Sequence, residues 1–465
     1  MNTPSRKEGS GMKQAKTLRY KITNHSRLFD TTVEIYNQAL RFLIDVIDRE
    51  FPNFDGISTK SMVTLVEKFI HRTSQNPQPK YPEFNHAFYK FPSYFRRSAI
   101  AMAFGKVKSY RSLLQNWHQE KELAHQEGKT FKKNPPSLTL DHHEFPVFYK
   151  GNMFERTGDC TARIKVFYQN DWVWMDIQFK GQDLYKRDVW DWKECNPKLV
   201  RVGKKYFLSI SYEKEIKLNK TKTKDRIVCS VDLGLTNSAV CSIIDANGTV
   251  LARKFIDQAK EKDRLYRLTN KLKKAQRKSG RIGAPNFWRR IRGLQTHIVR
   301  DTSHNIVEFA KQHDADVIVF EYLQKMKVPK GFYGARRLRF KLHYWRKTAI
   351  QNKVTEMAHY NGIRISRINA RNTSALAFDG SGFVSRNQKK DLATFTTGKV
   401  YHADLSASYN IGARYFIREL TKPFSEMERL SLQAKVPELA KRTWQTLALL
   451  ISLHSAYETK ALSHS

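Results

Sequence analysis

The sequence predicts a multidomain α+β protein in which a helical region is inserted in a small β-domain and a separate α/β domain follows. Three observations support this prediction. Apolar residues recur at three- and four-residue spacing within residues 30–140, whereas short alternating segments divided by turn residues dominate 141–213. A lysine-rich polar stretch, 214–225, then separates these regions from new apolar strand-like segments. The length of 465 residues allows about three domains.

The first half begins with a polar stretch, residues 1–13, which we expect to lack order. A strand-like segment lies within 14–29, the helical region 30–140 follows, and a strong helix begins after Pro92. Because the other β segments come only after this region, the early strand is expected to join them in a small antiparallel β-barrel or sheet. The stretch 214–225 is predicted to be an interdomain linker.

The charge of the chain indicates a polyanionic partner. Lys and Arg number 83 against 44 Asp and Glu, so the formal net charge is +39. Such an excess repels itself in a compact fold unless a polyanion such as nucleic acid neutralises it. A membrane surface is the alternative, but no apolar run is long enough to span a bilayer and the N-terminus lacks a signal peptide's apolar core. Four cysteines without metal-type spacing suit a reducing cytoplasm.

Three acidic residues in the second half occupy the ends of apolar elements. Asp232 follows the strand-like segment 226–231, and Glu321 follows the segment 315–320. Asp404 lies in the first turn of a predicted helix, where exposed N–H groups and the helix dipole favour a carboxylate. After the first acid, two further strand segments are joined by a hairpin turn. This order of elements is typical of the first part of an RNase H-like fold.

The chemistry of phosphodiester hydrolysis explains why such a site needs three acidic residues. Two Mg²⁺ ions about 4 Å apart need oxygen ligands, while water and substrate complete their coordination. Each acid alone has an ordinary structural explanation, but the three together predict a metal-dependent phosphodiesterase. The segment Val231–Ser238 also resembles the first phosphate motif of actin-like and heat-shock-chaperone ATPases. No second phosphate loop or glycine-rich adenosine loop follows, which disfavours that alternative.

Three motifs resemble those of the TnpB family of transposon-encoded proteins and the compact type V CRISPR effectors. The motifs are Val231–Gly234, Val319–Leu323 and Ala403–Ile411, and the resemblance covers residues 226–416. It implies a RuvC-type nuclease domain formed by 226–372 and 399–465. The upstream regions would then be a helical recognition domain (30–140) inserted in a wedge β-domain (14–29 and 141–213).

The resemblance implies a prokaryotic RNA-guided DNA endonuclease. Its partners would be a guide RNA, either an omega-type RNA or a crRNA with or without a tracrRNA, and a double-stranded DNA target with a short flanking motif. Asp232, Glu321 and Asp404 would be the catalytic ligands of two Mg²⁺ ions, with Mn²⁺ as a substitute. A monomer is favoured. Two alternatives stay open: an RNA-guided DNA-binding protein that does not cut, and a guide-independent transposase or resolvase with an RNase H fold.

One segment departs from the family pattern. Members usually carry a four-cysteine zinc ribbon before the third motif, within residues 373–398 here. The expected cysteine positions read Ala377, Gly380, Thr394 and Thr397, and no cysteine follows Cys241. Zinc is therefore not expected, and the segment must be held by packing or be mobile; its glycine and serine content suggests a loop. The tail beyond it is expected to form an amphipathic helix, 430–457, that packs on the nuclease core.

Basic segments are candidates for nucleic-acid contact, although a solvated surface explains each of them as well. Residues 260–292 contain 13 Lys or Arg against two acids on a predicted helix, and residues 325–341 combine cations with aromatic residues in a predicted mobile loop. The candidate contacts are Arg96, Arg97, Lys106, Lys271, Lys274, Arg277, Lys278, Arg289, Arg290, Lys330, Arg336 and Arg337.

Overall fold

The computed structural model describes residues 12–24, 26–54, 56–138, 144–180, 189–280, 283–322, 345–388, 391–435 and 441–463. The chain forms two compact units. One is Ala15–Lys214, and the other combines Met1–Gln14 with Glu215–Ser465. In the part of the chain that the structure describes, no helix is both long and apolar enough to cross a bilayer.

The first unit is built around a seven-stranded sheet. Strand β1 pairs with β4 and β7, so the early strand joins the later ones as predicted from the sequence. The order is β2-β3-β4-β1-β7-β5, with β6 paired to β7, and no pairing among the described residues closes it. The predicted barrel is therefore a curled half-barrel. Its strands are β1 (Met12–Ile22), β2 (Phe154–Arg156), β3 (Thr161–Tyr168), β4 (Asp171–Lys180), β5 (Lys193–Glu194), β6 (Lys198–Val202) and β7 (Lys205–Ile216).

The described residues between β1 and β2 form four α-helices. Helix α1 buries Phe29, Val33, Tyr36 and Leu40, which share one face because of their three- and four-residue spacing. Helix α4 packs on α1 with its first half, and Phe95 contacts Tyr36 edge to face. The helices are α1 (Leu28–Arg49), α2 (Thr59–Ile70), α3 (Glu83–Ala87) and α4 (Ser93–Gln126).

The second unit contains a five-stranded sheet of order β10-β9-β8-β11-β12. Strands β8, β9 and β10 are antiparallel neighbours, whereas β11 runs parallel to both β8 and β12. The strands are β8 (Val228–Asp232), β9 (Ala239–Ile244), β10 (Val250–Ile256), β11 (Val317–Glu321) and β12 (Arg364–Ile368). The helices that follow β10 and β11 are α5 (Ala259–Ser279), α6 (Pro285–Gln312) and α7 (Lys347–Tyr360).

Helices cover both faces of this sheet, which explains why its central strands are apolar throughout. Cys229 and Val231 pack against the layer that contains α6 and α7. Val228, Val317 and Val319 pack against the opposite layer, whose main helix is α8 (Ala403–Thr421).

Small side chains allow α8 to approach the sheet closely. Ser408 and Ser242 exchange a hydrogen bond of 2.5 Å between their Oγ atoms. A Cβ atom placed on Gly412 would lie 2.5 Å from Ile244 Cδ1 and 3.3 Å from Ser230 Cβ. Glycine at this position therefore sets the distance between helix and sheet.

Residues 373–402 form a small sheet, which corrects the expectation of a loop. We call this segment the ribbon; its strands are β13 (Ser385–Arg386), β14 (Leu392–Thr394) and β15 (Val400–His402), in that order. Its core consists of Ala377, Ala393, Phe395 and Ala403. Ala377 occupies an expected cysteine position and belongs to this apolar core, so packing holds the segment. Thr394 and Thr397 are exposed.

The C-terminal region contains two helices where the sequence suggested one tail at 430–457. They are α9 (Glu426–Lys435) and α10 (Trp444–Ser463). Leu447 and Leu450 of α10 are buried in the apolar layer around α8, which confirms the expected packing on this core.

The close approach of α8 predicts opposite effects for two helical Gly→Ala substitutions. Gly412→Ala should destabilise the protein by about 1–3 kcal/mol, because the added methyl group would collide with Ile244 and Ser230 and push the sheet and α8 apart. Gly293→Ala in α6 meets nothing within 4 Å and should stabilise it by about 1 kcal/mol through helix propensity. Thermal unfolding of both variants checks this; a Gly412→Ala melting temperature at or above that of the wild type would contradict the packing argument.

Candidate metal centre

The alternation of side chains along two strands directs two acids toward α8. Val228 and Asp232 lie on one face of β8, and Val317 and Glu321 lie on one face of β11. The two residues of each pair are four positions apart, and side chains alternate between the faces of a strand. Both valines pack in the layer around α8. Asp232 and Glu321 therefore emerge on the same side of the sheet as α8.

The register of the strands then brings these two acids together. Strands β8 and β11 are parallel neighbours, and Phe320 pairs with Val231. The next residues along the two strands, Glu321 and Asp232, are consequently adjacent at the carboxyl edge of the sheet. Asp404 lies in the first turn of α8, which packs across this part of the sheet.

Asp232 lies close enough to the other two acids to interact with them electrostatically. Burial raises the pKa of Asp232 well above its ordinary value, and the negative charges of Glu321 and Asp404 raise it further, whereas Arg386 opposes the shift. Burial also raises the pKa of Glu321, against the hydrogen bond from Thr373 and the charge of Arg414. The fold thus gathers like charges that repel one another.

Neighbouring groups fix the orientation of the acids. Asn237 Nδ2 donates to Asp404 Oδ2 at 3.2 Å. The turn that carries Asn237 lies close to the acid, since a Cβ atom on Gly234 would be 2.9 Å from Asn237 O and 3.6 Å from Asp404 Oδ2. Thr373 Oγ1 donates to Glu321 Oε1, and Gln351 Nε2 donates to the Glu321 carbonyl oxygen at 3.0 Å.

The donor set suits hard divalent cations. Its three carboxylates are the ligand type that Mg²⁺ and Mn²⁺ prefer, and a cation there would offset their mutual repulsion. Among the described residues, no three His, Cys, Asp or Glu side chains lie close enough to hold a single ion. The described residues therefore do not form a closed cage for one ion, whereas Mg²⁺ usually binds through one or two carboxylates and keeps several waters.

Comparison with known proteins assigns the chain to a family. The sequence model of the Aq_aa04 family matches residues 16–168. The uncharacterized protein aq_aa04 of Aquifex aeolicus (strain VF5) is 32% identical over 123 residues, which cover 24% of this chain and 67% of that protein. This chain belongs to the Aq_aa04 family.

Two further comparisons extend this assignment. TnpB-like protein aq_aa05, also of Aquifex aeolicus (strain VF5), is 25% identical over 232 residues, which cover 46% of this chain and 75% of that protein. The mini-RNA-guided endonuclease CRISPR-Cas_phi3 superposes with a TM-score of 0.50 at 12% identity, covering 88% of this chain and 93% of that one, which shows a shared fold. The resemblance to TnpB-like proteins is confirmed.

Arg386 is a site residue that the sequence motifs missed. It lies on β13 of the ribbon, where its Nη2 atom donates to the Ser374 carbonyl oxygen at 2.8 Å. It is also close enough to Asp232 to lower the pKa of that acid. In this member of the Aq_aa04 family, a guanidinium charge thus acts on Asp232, and guanidinium groups in general are suited to hydrogen bonding with phosphate oxygens. Its position depends on how the ribbon folds, so local sequence carries no signal for it.

The three candidate contacts on α4 face carboxylates. Arg96 is buried and its Nε atom donates to Glu67 at 3.2 Å, so its role in nucleic-acid contact also stays a prediction. Arg97 is exposed and pairs with the same Glu67 at 3.0 Å, while Lys106 pairs with Glu144 at 2.9 Å. A phosphate would have to compete with these acids for Arg97 and Lys106, whose role in nucleic-acid contact stays a prediction.

The candidates near the acidic motifs are placed differently. The side chains on α5 and at the start of α6 are exposed, and their contact with nucleic acid stays a prediction. These residues are Lys271, Lys274, Arg277, Lys278, Arg289 and Arg290. Lys330, Arg336 and Arg337 lie outside the described residues.

The repulsion among the acids predicts that Asp232→Asn stabilises the metal-free protein. Because the folded-state pKa of Asp232 is raised, its carboxyl destabilises the fold increasingly as pH rises from the unfolded value toward the folded one. At pH 8 with EDTA, the melting temperature of the variant should lie several degrees above that of the wild type, since each kcal/mol of stability corresponds to roughly 2–4 °C. The difference between the two melting temperatures should shrink at pH 5.

Two controls accompany this measurement of melting temperature. Asp263→Asn, at an exposed position on α5, should change it little at either pH. Adding Mg²⁺ should raise the melting temperature of the wild type more than that of Asp232→Asn. Equal melting temperatures for Asp232→Asn and the wild type at pH 8 would show that the acids do not repel one another.

Proposed function

We propose that this chain is an RNA-guided DNA endonuclease with a RuvC-type metal site formed by Asp232, Glu321 and Asp404. The observation that carries this proposal is the electrostatic coupling of Asp232 to both other acids at one edge of an RNase H-like sheet. Structural roles alone rarely gather three partly buried carboxylates, because each one raises the cost of ionising the others.

The guide and the DNA target are inferred from the relatives and the charge. One relative is named TnpB-like, and a protein with the same fold is named an RNA-guided endonuclease. The net charge of +39 and the exposed cations on α5 support binding to a polyanion. Guide pairing would then supply the target sequence, with a short flanking motif read on the duplex.

The chain's own residues have separate tasks in this proposal. Asp232, Glu321 and Asp404 would hold Mg²⁺, with Mn²⁺ as a substitute, after Asp232 has lost its proton. Bound there, the ions would supply Lewis-acid activation of water and charge stabilisation at the leaving oxygen. Arg386 would bind a non-bridging oxygen of the scissile phosphate and hold it near the acids.

The proposal is tested by identifying the RNA that co-purifies with the full chain. We expect one discrete RNA species on sequencing, and we expect the complex to cut a matched double-stranded DNA in the presence of Mg²⁺. Purification without a discrete RNA would overturn the proposal in favour of a guide-independent transposase. Tight binding of matched DNA without any cleavage would overturn the nuclease part.

Asp232→Ala, Glu321→Ala and Asp404→Ala should each reduce cleavage at least about 100-fold, because each removes a carboxylate from the metal centre. Binding of the RNA and of matched DNA, measured by gel shift, should stay within about twofold. Asp263→Ala serves as the matched control and should cut like the wild type. Normal cleavage by any of the first three variants would remove that residue from the site.

Arg386→Ala should slow cleavage by about 10- to 100-fold while DNA binding is retained, because the guanidinium group contributes charge at the phosphate. Arg386→Lys should recover part of the loss, since it restores the charge without the two-pronged geometry. Single-turnover rates measure both effects. A loss of DNA affinity equal to the loss of rate would mean that Arg386 serves binding alone.

A further inference from the structure

Within the described residues, a loop outside the sheet reaches the carboxylate of Glu321. This loop, residues 369–376, runs from the end of β12 into the first residues of the ribbon, and its Thr373 is 1% exposed. Thr373 Oγ1 donates to Glu321 Oε1. The orientation of the Glu321 carboxylate therefore depends on where the loop lies.

Two side chains of α8, one turn apart, hold the loop in place. Asn410 is fully buried, and its Nδ2 atom donates to Thr373 O at 3.0 Å and to Leu376 O at 2.9 Å. Arg414 Nη1 donates to Asn369 O at 2.9 Å and to Arg371 O at 2.6 Å. These four carbonyl groups span the loop from its beginning to its end.

The same two side chains also bind the segment that leads into α10. The backbone N–H of Trp444 donates to Asn410 Oδ1 at 3.2 Å, and Arg414 Nε donates to the Arg442 carbonyl oxygen at 3.3 Å. Asn410 thus uses both amide hydrogens on the loop and its oxygen on the C-terminal segment. A displacement of Trp444 would break the hydrogen bond that its backbone N–H donates to the amide oxygen of Asn410.

The start of α10 is itself anchored at three places. Trp444 Nε1 donates to the Gly248 carbonyl oxygen at 2.7 Å, in the turn between β9 and β10. The backbone N–H of Gln445 donates to Phe378 O at 3.0 Å, and the rings of Phe378 and Trp444 contact edge to face at 6.1 Å. Leu447 is fully buried against the α8 layer. These contacts join the sheet, the ribbon and α8 to one short segment.

We propose that the C-terminal segment Arg442–Leu447 is a positioning element for the metal ligand Glu321, acting through Asn410, Arg414 and Thr373. The proposal rests on the proposed function, in which Glu321 holds a catalytic cation. A shift of about 1 Å in a catalytic group can lower a rate about 100-fold, so a remote segment that sets the loop position can control turnover without touching substrate.

The direct contact is tested by two substitutions of Thr373. Thr373→Val keeps the shape of the side chain but removes the donor to Glu321, and Thr373→Ser keeps the donor. We expect Thr373→Val to need at least about fivefold more Mg²⁺ for half-maximal cleavage and to bind Mn²⁺ correspondingly more weakly. Thr373→Ser should behave like the wild type in both measurements. Mn²⁺ binding is followed by electron paramagnetic resonance without nucleic acid, so it reports on the site independently of cleavage.

The remote contact is tested at Trp444. Trp444→Ala should raise the Mg²⁺ requirement and weaken Mn²⁺ binding in the same direction as Thr373→Val, with guide RNA and DNA binding unchanged. Trp444→Phe keeps the ring beside Phe378 and should lie between Trp444→Ala and the wild type. Leu449→Ala, on an exposed face of the same helix, is the matched control and should leave every measurement unchanged.

The outcomes separate this proposal from the proposed function. Trp444→Ala with reduced thermal stability but an unchanged Mg²⁺ requirement and unchanged Mn²⁺ affinity would overturn the positioning role and leave the nuclease intact. If the wild type binds Mn²⁺ but cuts no DNA, the proposed function fails; a weakened Mn²⁺ affinity in Thr373→Val and Trp444→Ala would still support positioning of Glu321. Unchanged Mn²⁺ affinity in both variants would overturn the proposal that the C-terminal segment positions Glu321.

Discussion

The convergence of three acids, in which the charges of Glu321 and Asp404 oppose ionisation of Asp232, is the constraint on which the second unit is organised. Two of these acids terminate neighbouring parallel strands and the third opens the helix that covers them, so the backbone leaves them little room to separate. Partial burial makes the repulsion more costly than it would be in water. The surrounding fold must therefore supply stability elsewhere, and the close packing of α8 on the sheet, at its serines and Gly412, contributes to it.

Much of this arrangement could be predicted from the sequence because it is local. An acid directly after an apolar strand, or in the first turn of a helix, is visible in a few consecutive residues, and strand alternation fixes the face on which Asp232 and Glu321 emerge. Arg386 could not be found this way, since it reaches Asp232 only through the fold of the ribbon. The partner of Arg96 could not be found this way either, because Glu67, whose carboxylate accepts from its Nε atom, is 29 residues away.

The ribbon illustrates how one kind of physical interaction can replace another. A tetrahedral thiolate site fixes four positions in space through directional bonds, whereas an apolar core is non-directional. Here Ala377, Ala393, Phe395 and Ala403 supply only a small core. The sequence showed that thiolates were missing but not what took their place, because Phe378 and its aromatic neighbours Tyr401, Tyr409 and Trp444 come from segments far apart in the chain.

A small apolar core does not by itself fix the orientation of the ribbon. Hydrogen bonds from α8 and the C-terminal segment fix that orientation. Asn410 is suited to this task because a buried amide with two donors and one acceptor satisfied stays in one rotamer, and any movement of either segment leaves a buried polar group unpaired. The same bonds that orient the ribbon thus also fix Thr373 beside Glu321. The stability of the ribbon and the orientation of the Glu321 carboxylate consequently depend on the same hydrogen bonds, so a change that loosens the ribbon must also disturb Glu321.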